Sequence, residues 1–328
     1  MRFGSNAALA LRAVAKMTVA LAAAAALASC GGGGLVEKFK PTRILAFGDE
    51  LSTLEADGRK WSINTFKVAN ATTTPVTLDR TTLECTLNPI WTQSVATRFG
   101  LAFDRCLGSA TVATGQSLAA PGAKVADFAT QRGSVTGAAL SHSDIALVML
   151  GMNDLLEIYA TYPTASRDAV LGAARARGEA LGLQVNALAQ AGTPVVVLTV
   201  PDLGLTPYAL AENTSTGDAT RARLLTDLTN AFNNRMSVSL VNDGRLIGLV
   251  YADTELQTVA KFASGFGLIN ATTAACLATT ALPGCTIDTL VTDATSLNYL
   301  WADALRPGPA FQARLGSLAA FRAVNNPF

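Results

Sequence analysis

The chain has 328 residues, with 25 Lys and Arg against 24 Asp and Glu, one histidine and five cysteines. A formal charge of +1 without a basic tract excludes the surface that polyanions require, so no nucleic-acid partner is expected. Half of the residues are hydrophobic, enough to bury the core of one large domain carrying insertions.

The first 29 residues hold Arg2, Arg12 and Lys16, no acidic residue, an Ala-rich apolar stretch over 17–27, and then Leu27-Ala28-Ser29-Cys30. A basic start, a short apolar run and small residues before a cysteine read as a secretory signal over 1–29. The last four residues resemble a bacterial lipobox. That resemblance implies that Cys30 is lipidated, becomes the mature N-terminus and makes a membrane the chain's partner. Gly31, where an Asp would retain the protein elsewhere, implies the outer membrane. Several acyl chains on one cysteine anchor stably where a single chain does not. Residues 30–42, opening with four glycines after Cys30, read as a flexible tether. The 299 residues from Cys30 onward carry 22 basic against 24 acidic side chains, a net of −2. No later apolar run is long enough to span a bilayer, so 43–328 is expected to be one exported domain.

Apolar runs over 43–47, 145–150, 194–200 and 246–251 predict strands, and Pro194-Val195-Val196-Val197-Leu198 has the β-branched content of a strand buried on both faces. Between them, Leu171, Ala174, Gly178, Leu181, Val185 and Leu188 step at helical spacing, as do Leu225, Leu228, Phe232 and Met236. Gly192 and Pro194 close the first of these helices. Strands alternating with helices predict an α/β fold, a parallel sheet covered by helices on both faces. Two segments break the alternation. The Thr-rich stretch 53–87 reads as a hairpin or irregular insertion, and 264–298 as a second one; both are placed to wall a pocket.

Four cysteines remain after Cys30: Cys85, Cys106, Cys276 and Cys285. An even count in an exported chain favours two disulfides. Of three possible pairings, Cys85–Cys106 and Cys276–Cys285 each bracket a loop-like stretch and are favoured. The sole histidine, His142, is far from all four in sequence, so neither a metal site nor a cofactor is expected.

The chemistry-bearing motifs follow the strands. Ile44-Leu45-Ala46-Phe47-Gly48-Asp49-Glu50-Leu51-Ser52 predicts a strand, a Gly-Asp turn and a helix. Ala119-Ala120-Pro121-Gly122-Ala123, Leu150-Gly151-Met152-Asn153-Asp154 and Trp301-Ala302-Asp303-Ala304-Leu305-Arg306-Pro307 come after it in chain order. Together these resemble the sequence blocks of the SGNH, or GDSL, hydrolases. Val200-Pro201-Asp202-Leu203-Gly204, Ala231-Phe232-Asn233-Asn234 and Phe266-Gly267-Leu268 extend the likeness over about 43–318. The resemblance implies a flavodoxin-like α/β/α sandwich with an esterase or lipase site at the strand ends. It places the nucleophilic serine at Glu50, the general-base histidine at Arg306 and its orienting carboxylate at Asp303. Gly122 and Asn153 are implied as oxyanion donors, which act when rigid and aimed at developing charge. Asp49 and Asp154 support the turn and the block in which they lie.

Two positions depart from that pattern. Ester hydrolysis by this route needs an activated hydroxyl and a base of near-neutral pKa, whereas Glu50 has no hydroxyl and Arg306 stays protonated. Ser52 is two residues displaced on the turn, and His142 precedes a strand, at the edge away from the strand ends. If the fold brings positions 50 and 306 together, an ionised Glu50 is expected to pair with Arg306 beside Asp303 and to accept from Gly122 and Asn153. Three functions follow: a degenerate hydrolase that binds an acyl, lipid or glycan ligand in the old cleft; a hydrolase of esters or glycans working by unusual carboxylate chemistry; or a purely structural lipoprotein, with Trp61 and Phe66 in the first insertion as candidate surface aromatics. An open pocket at Glu50 and Arg306 would favour the first two, a filled one the third.

Overall fold

The computed structural model describes residues 38–73 and 75–328; the signal over 1–29, Cys30 and its four glycines lie outside the described residues. The chain enters the domain at β1 (Arg43–Gly48), whose last five residues are buried, as a strand covered on both faces requires. After a long excursion come α1 (Trp91–Arg98), β4 (Gly115–Ser117) and α2 (Phe128–Gly133). The alternation then becomes regular: β5 (Asp144–Met149), α3 (Met152–Ala160), α4 (Arg167–Gln190), β6 (Val195–Leu198), α5 (Pro207–Ser215), α6 (Arg221–Ser239), β7 (Ile247–Val250) and α7 (Ala252–Lys261). The chain ends with α8 (Pro309–Asn325).

All pairings in the main sheet are parallel, in the order β4-β1-β5-β6-β7. Right-handed crossovers put α1 on one face and α4 and α6 on the other, because the chain reverses direction across the sheet at β4, and the last helix, α8, returns to the α1 face. Accordingly α1 packs with α8, and α4 with α6. The α4–α6 approach is close: a Cβ on Gly178 would lie 2.2 Å from the Phe232 carbonyl oxygen. The three-layer α/β/α architecture expected from the alternating pattern is therefore present, with flavodoxin-like strand order.

The four anticipated strands form, each trimmed or extended by one or two residues, and both anticipated helices run longer than their apolar stripes. Two expectations need correction. The sheet has a fifth strand, β4, which has only three residues and pairs Gly115–Ser117 with Ile44–Ala46. The helix expected after the Gly-Asp turn is a single 3-10 turn, Glu50–Ser52, because the Asp49 side chain accepts from the Leu51 N–H and the chain turns extended at Thr53.

The two insertions meet. The first contains an exposed antiparallel hairpin, β2 (Phe66–Asn70) with β3 (Thr77–Leu83). The second contributes β8 (Asn270–Ala274), paired in parallel with β9 (Tyr299–Trp301). A second small core of Ile63, Ala275, Cys276, Leu282, Cys285, Tyr299 and Ala302 joins them. Asn64 stitches this seam, donating Nδ2 to the Pro283 and Cys285 carbonyls while its backbone N–H donates to Cys285. The expected disulfides Cys85–Cys106 and Cys276–Cys285 are both formed. Among the described residues no helix is long and apolar enough to cross a membrane.

Candidate functional site

β1 and β5 run in register, with Gly48 beside Met149, so the segments leaving their carboxyl ends emerge side by side. β1 is flanked by β4 and β5, whose connections run to opposite faces, and such switch points leave a crevice where α/β proteins place their sites. Glu50 leaves β1 and Asn153 opens α3 at this crevice.

The turn at Glu50 is tightly held. Gln131 clamps Gly48 from both sides, accepting from its N–H at 2.9 Å and donating to its carbonyl at 2.8 Å. Gly48 admits no side chain, since a Cβ would lie 2.5 Å from the Met149 carbonyl oxygen. Asp49 Oδ1 accepts from the Leu51 N–H at 3.1 Å, and Thr53 Oγ1 donates to the Asp49 carbonyl at 2.8 Å.

Glu50 is 4% exposed and both its oxygens are occupied. Arg306 Nη2 donates to Oε1 at 2.9 Å, and Asn153 Nδ2 donates to Oε2 at 2.8 Å. Arg306 Nη1 donates to Asp303 Oδ2 at 3.0 Å, so one guanidinium bridges two carboxylates. The loop carrying it is shaped locally: Asp303 Oδ1 accepts from the N–H groups of Leu305 and Arg306, and Trp301 bridges Pro307. Trp61 lies against the guanidinium, its ring centre 5.2 Å from Arg306 Cζ, a cation–π distance. Trp61 Nε1 in turn donates to Glu55 at 2.7 Å, and Ser62 Oγ donates to the Pro307 carbonyl. Burial opposes the Arg306 charge, but Asp303 and Glu50 overcome it and raise its pKa.

The neighbouring acids have separate tasks. Asp49 is 1% exposed, and its burial together with the charge of Glu50 pushes its pKa well above the usual carboxylate range, against the pull of the Leu51 N–H and Arg306. Asp154 is also buried and its pKa is raised by desolvation, although its Oδ2 accepts from the Val125 N–H at 2.8 Å. Asp154 and Asn153, which also donates to the Ala123 carbonyl, hold the 119–125 loop against the start of α3. Gly151 precedes them at φ +130, and a Cβ there would strike Phe232 at 2.5 Å, so the Phe232 motif packs directly under the Asn153 block.

Most residues singled out from sequence meet at this point, with three qualifications. Among the described residues Gly122 makes no hydrogen bond to Glu50; it is exposed, at φ +76, so its expected role as a second donor is not seen. Ser52 points away, its hydroxyl accepting from Trp91 Nε1 at 3.2 Å inside the core. His142 is exposed before β5, at the opposite edge of the sheet, with its ring 5.8 Å from that of Phe39. Sequence reasoning missed Gln131 and Glu55, which carry no local motif. It named Trp61 only as a surface aromatic.

Cavities of about 790, 690 and 480 Å3 lie elsewhere, and none is lined by Glu50, Asn153 or Arg306. Among the described residues no group of three or more His, Cys, Asp or Glu is arranged to hold a metal ion.

No protein-family model and no curated protein matches the chain. Among solved structures it is similar to Axe2, an acetylxylan esterase from Geobacillus stearothermophilus, at 12% identity and a TM-score of 0.41, covering 88% of this chain and 96% of that one. A member of the lipolytic G-D-S-L family from Veillonella parvula DSM 2008 gives 12% and 0.38, over 86% and 95% of the two chains. Est24, a carbohydrate acetylesterase from Sinorhizobium meliloti, gives 15% and 0.36, over 85% and 97%. The α/β/α architecture stands on its own strand order and register, independently of these likenesses.

Proposed function

We propose that this is a non-hydrolytic protein on an ester-hydrolase-like scaffold, whose former reaction site is closed by the ion-pair triad of Glu50, Arg306 and Asp303. The observation that carries this reading is the saturation of Glu50, with one oxygen held by Arg306 and the other by Asn153. A serine route needs a hydroxyl and a base at positions 50 and 306, and a carboxylate and a guanidinium supply neither. Paired-carboxylate hydrolysis needs an acid that reaches the substrate. Asp49, the acid most inclined to keep its proton, is buried and engaged with the Leu51 N–H. Asp303 is committed to Arg306 and to two backbone N–H groups.

The lipobox-like Leu27-Ala28-Ser29-Cys30 supports export and anchoring through Cys30, with the outer membrane as the destination. With both oxygens of Glu50 held by Arg306 and Asn153, a structural role at the envelope is favoured over an acyl- or lipid-filled cleft. Binding of a glycan or acyl ligand at the rim is a second reading, favoured by the partial exposure of Asp303, Arg306 and Trp61. Two experiments test the proposal. Incubation with a serine-directed fluorophosphonate, followed by intact-mass analysis, is expected to leave the protein unmodified, and stoichiometric labelling refutes the reading. Cys30→Ala is expected to move the protein from the membrane fraction to the soluble one, and an unchanged distribution refutes the anchor.

A further inference from the structure

The two disulfides stand in different surroundings. Cys276–Cys285 is sealed in the second core, where Cys285 is fully buried beside Ile63, Leu282 and Tyr299. Cys85 is half-buried, and Cys106, although 9% exposed, lines the cavity of about 790 Å3 together with Lys67, Gln93, Phe103 and Leu107. A cavity of that size admits a small dithiol, and a disulfide that borders a cavity exchanges more readily than one sealed in a core.

The same bridge is the base of the turn that carries Trp61. Leu54 and Lys60 pair as an antiparallel bridge, folding residues 54–60 back on themselves. Gly58, at φ +79, lies so close that a Cβ would come within 2.8 Å of Cys85 Cβ. The fully buried Lys60 donates Nζ to the Cys85 carbonyl at 3.0 Å, and Gln93 Nε2 donates to the same carbonyl at 2.9 Å. Arg105, next to Cys106, donates to the Leu54 carbonyl at 2.6 Å. Glu55 and Trp61 extend from this turn, Glu55 to Trp61 and Trp61 to Arg306.

We propose that Cys85–Cys106 is a thiol-exchange site and a redox-sensitive fastening: a small dithiol opens it before Cys276–Cys285, and its opening loosens residues 53–65 while the parallel sheet stays folded. A thiolate of the dithiol attacks Cys106 Sγ, the sulfur on the cavity side. The Cys85–Cys106 bond breaks, Cys85 leaves as a thiolate that takes a proton from water, and a mixed disulfide forms on Cys106. The second thiol of the reagent loses its proton and attacks the reagent's own sulfur in that mixed disulfide. Cys106 is released and protonated, and the dithiol ends as a cyclic disulfide. Two electrons have passed from dithiol to cystine. This is independent of whether the Glu50 site turns over esters.

The test is a dithiothreitol titration of the full chain, quenched with iodoacetamide and read by peptide mass spectrometry, with hydrogen exchange followed at each step. Cys85 and Cys106 are expected to be half alkylated at a concentration at least about tenfold below that needed for Cys276 and Cys285. At that point exchange should quicken in 53–65 and stay unchanged in β1 and β5. Simultaneous reduction, or Cys276–Cys285 opening first, overturns the exchange site. Selective reduction without faster exchange in 53–65 overturns the fastening. A Cys85→Ala/Cys106→Ala variant should show the loosened 53–65 segment without reductant, and a segment as protected as in the wild type likewise overturns it.

Discussion

Arg306 Nη2 meets Glu50 Oε1 at 2.9 Å across 256 residues of sequence, joining the turn after the first strand to the loop before the last helix. The resemblance to the SGNH sequence blocks implies a serine and a histidine at these two positions, where this chain has a carboxylate and a guanidinium. The two form an ion pair, in which neither side chain can act as nucleophile or general base in a serine route.

Breaking this pair from one side should be costly. Arg306→Met leaves the Glu50 carboxylate, 4% exposed, with Asn153 as its remaining side-chain donor. Losing one partner of a buried pair costs about 3–5 kcal/mol. Glu50→Gln/Arg306→Met removes both charges and should recover much of that loss, because no uncompensated ion is left. A urea double-mutant cycle checks this: strong coupling is expected, and additive losses would contradict it.

Asp49 should destabilise the protein at neutral pH. Its folded pKa is raised by burial and by Glu50, so the native state holds a proton that the unfolded state has released once pH exceeds the ordinary carboxylate value. Stability from this group therefore falls as pH rises from that value to the folded pKa. Asp49→Asn keeps an oxygen for the Leu51 N–H and removes the charge. Its urea midpoint is expected to exceed that of the wild type at pH 7, with the advantage vanishing below about pH 4. A variant less stable than wild type at pH 7 would contradict this account.

Lys60 titrates in the opposite sense. Desolvation lowers its pKa to about 8, while its ammonium donates to the Cys85 and Leu87 carbonyls. Between that value and the ordinary lysine pKa, the unfolded chain binds more protons than the native one, so this group's contribution to stability rises with pH. Lys60→Met abolishes that contribution along with the two hydrogen bonds. The stability gap between wild type and variant should therefore widen from pH 8 to about pH 10.5, as followed by guanidinium unfolding. A constant gap would show that Lys60 does not titrate in this range.

The fold was legible where a strand is buried on both faces, as at Val195–Leu198, and where a helix presents a regular apolar stripe, as along α4. β4 was not, because Gly115-Gln116-Ser117 has no apolar pattern and is a strand only through its pairing with Ile44–Ala46. The meeting of Glu50, Asn153, Asp303 and Arg306 was expected only through the resemblance of their motifs to the SGNH blocks, because the Asp303–Arg306 segment follows β9 of the small second sheet and no local pattern ties it to β1. Lys60 was not readable, because a lysine in a polar stretch carries no sign that backbone carbonyls await it in the interior. The contact of Trp61 with Arg306 was equally hidden. It depends on an insertion whose path is set by the Asn64 seam and the Cys85–Cys106 bridge.

The most direct measurement is turnover of a chain-length panel of p-nitrophenyl esters by wild type, Glu50→Ala and Glu50→Ser/Arg306→His. No turnover above background is expected for the first two and measurable hydrolysis by the third, an intact scaffold silenced at two positions. Turnover by wild type that Glu50→Ala abolishes would contradict this expectation and make the Glu50 carboxylate a working group.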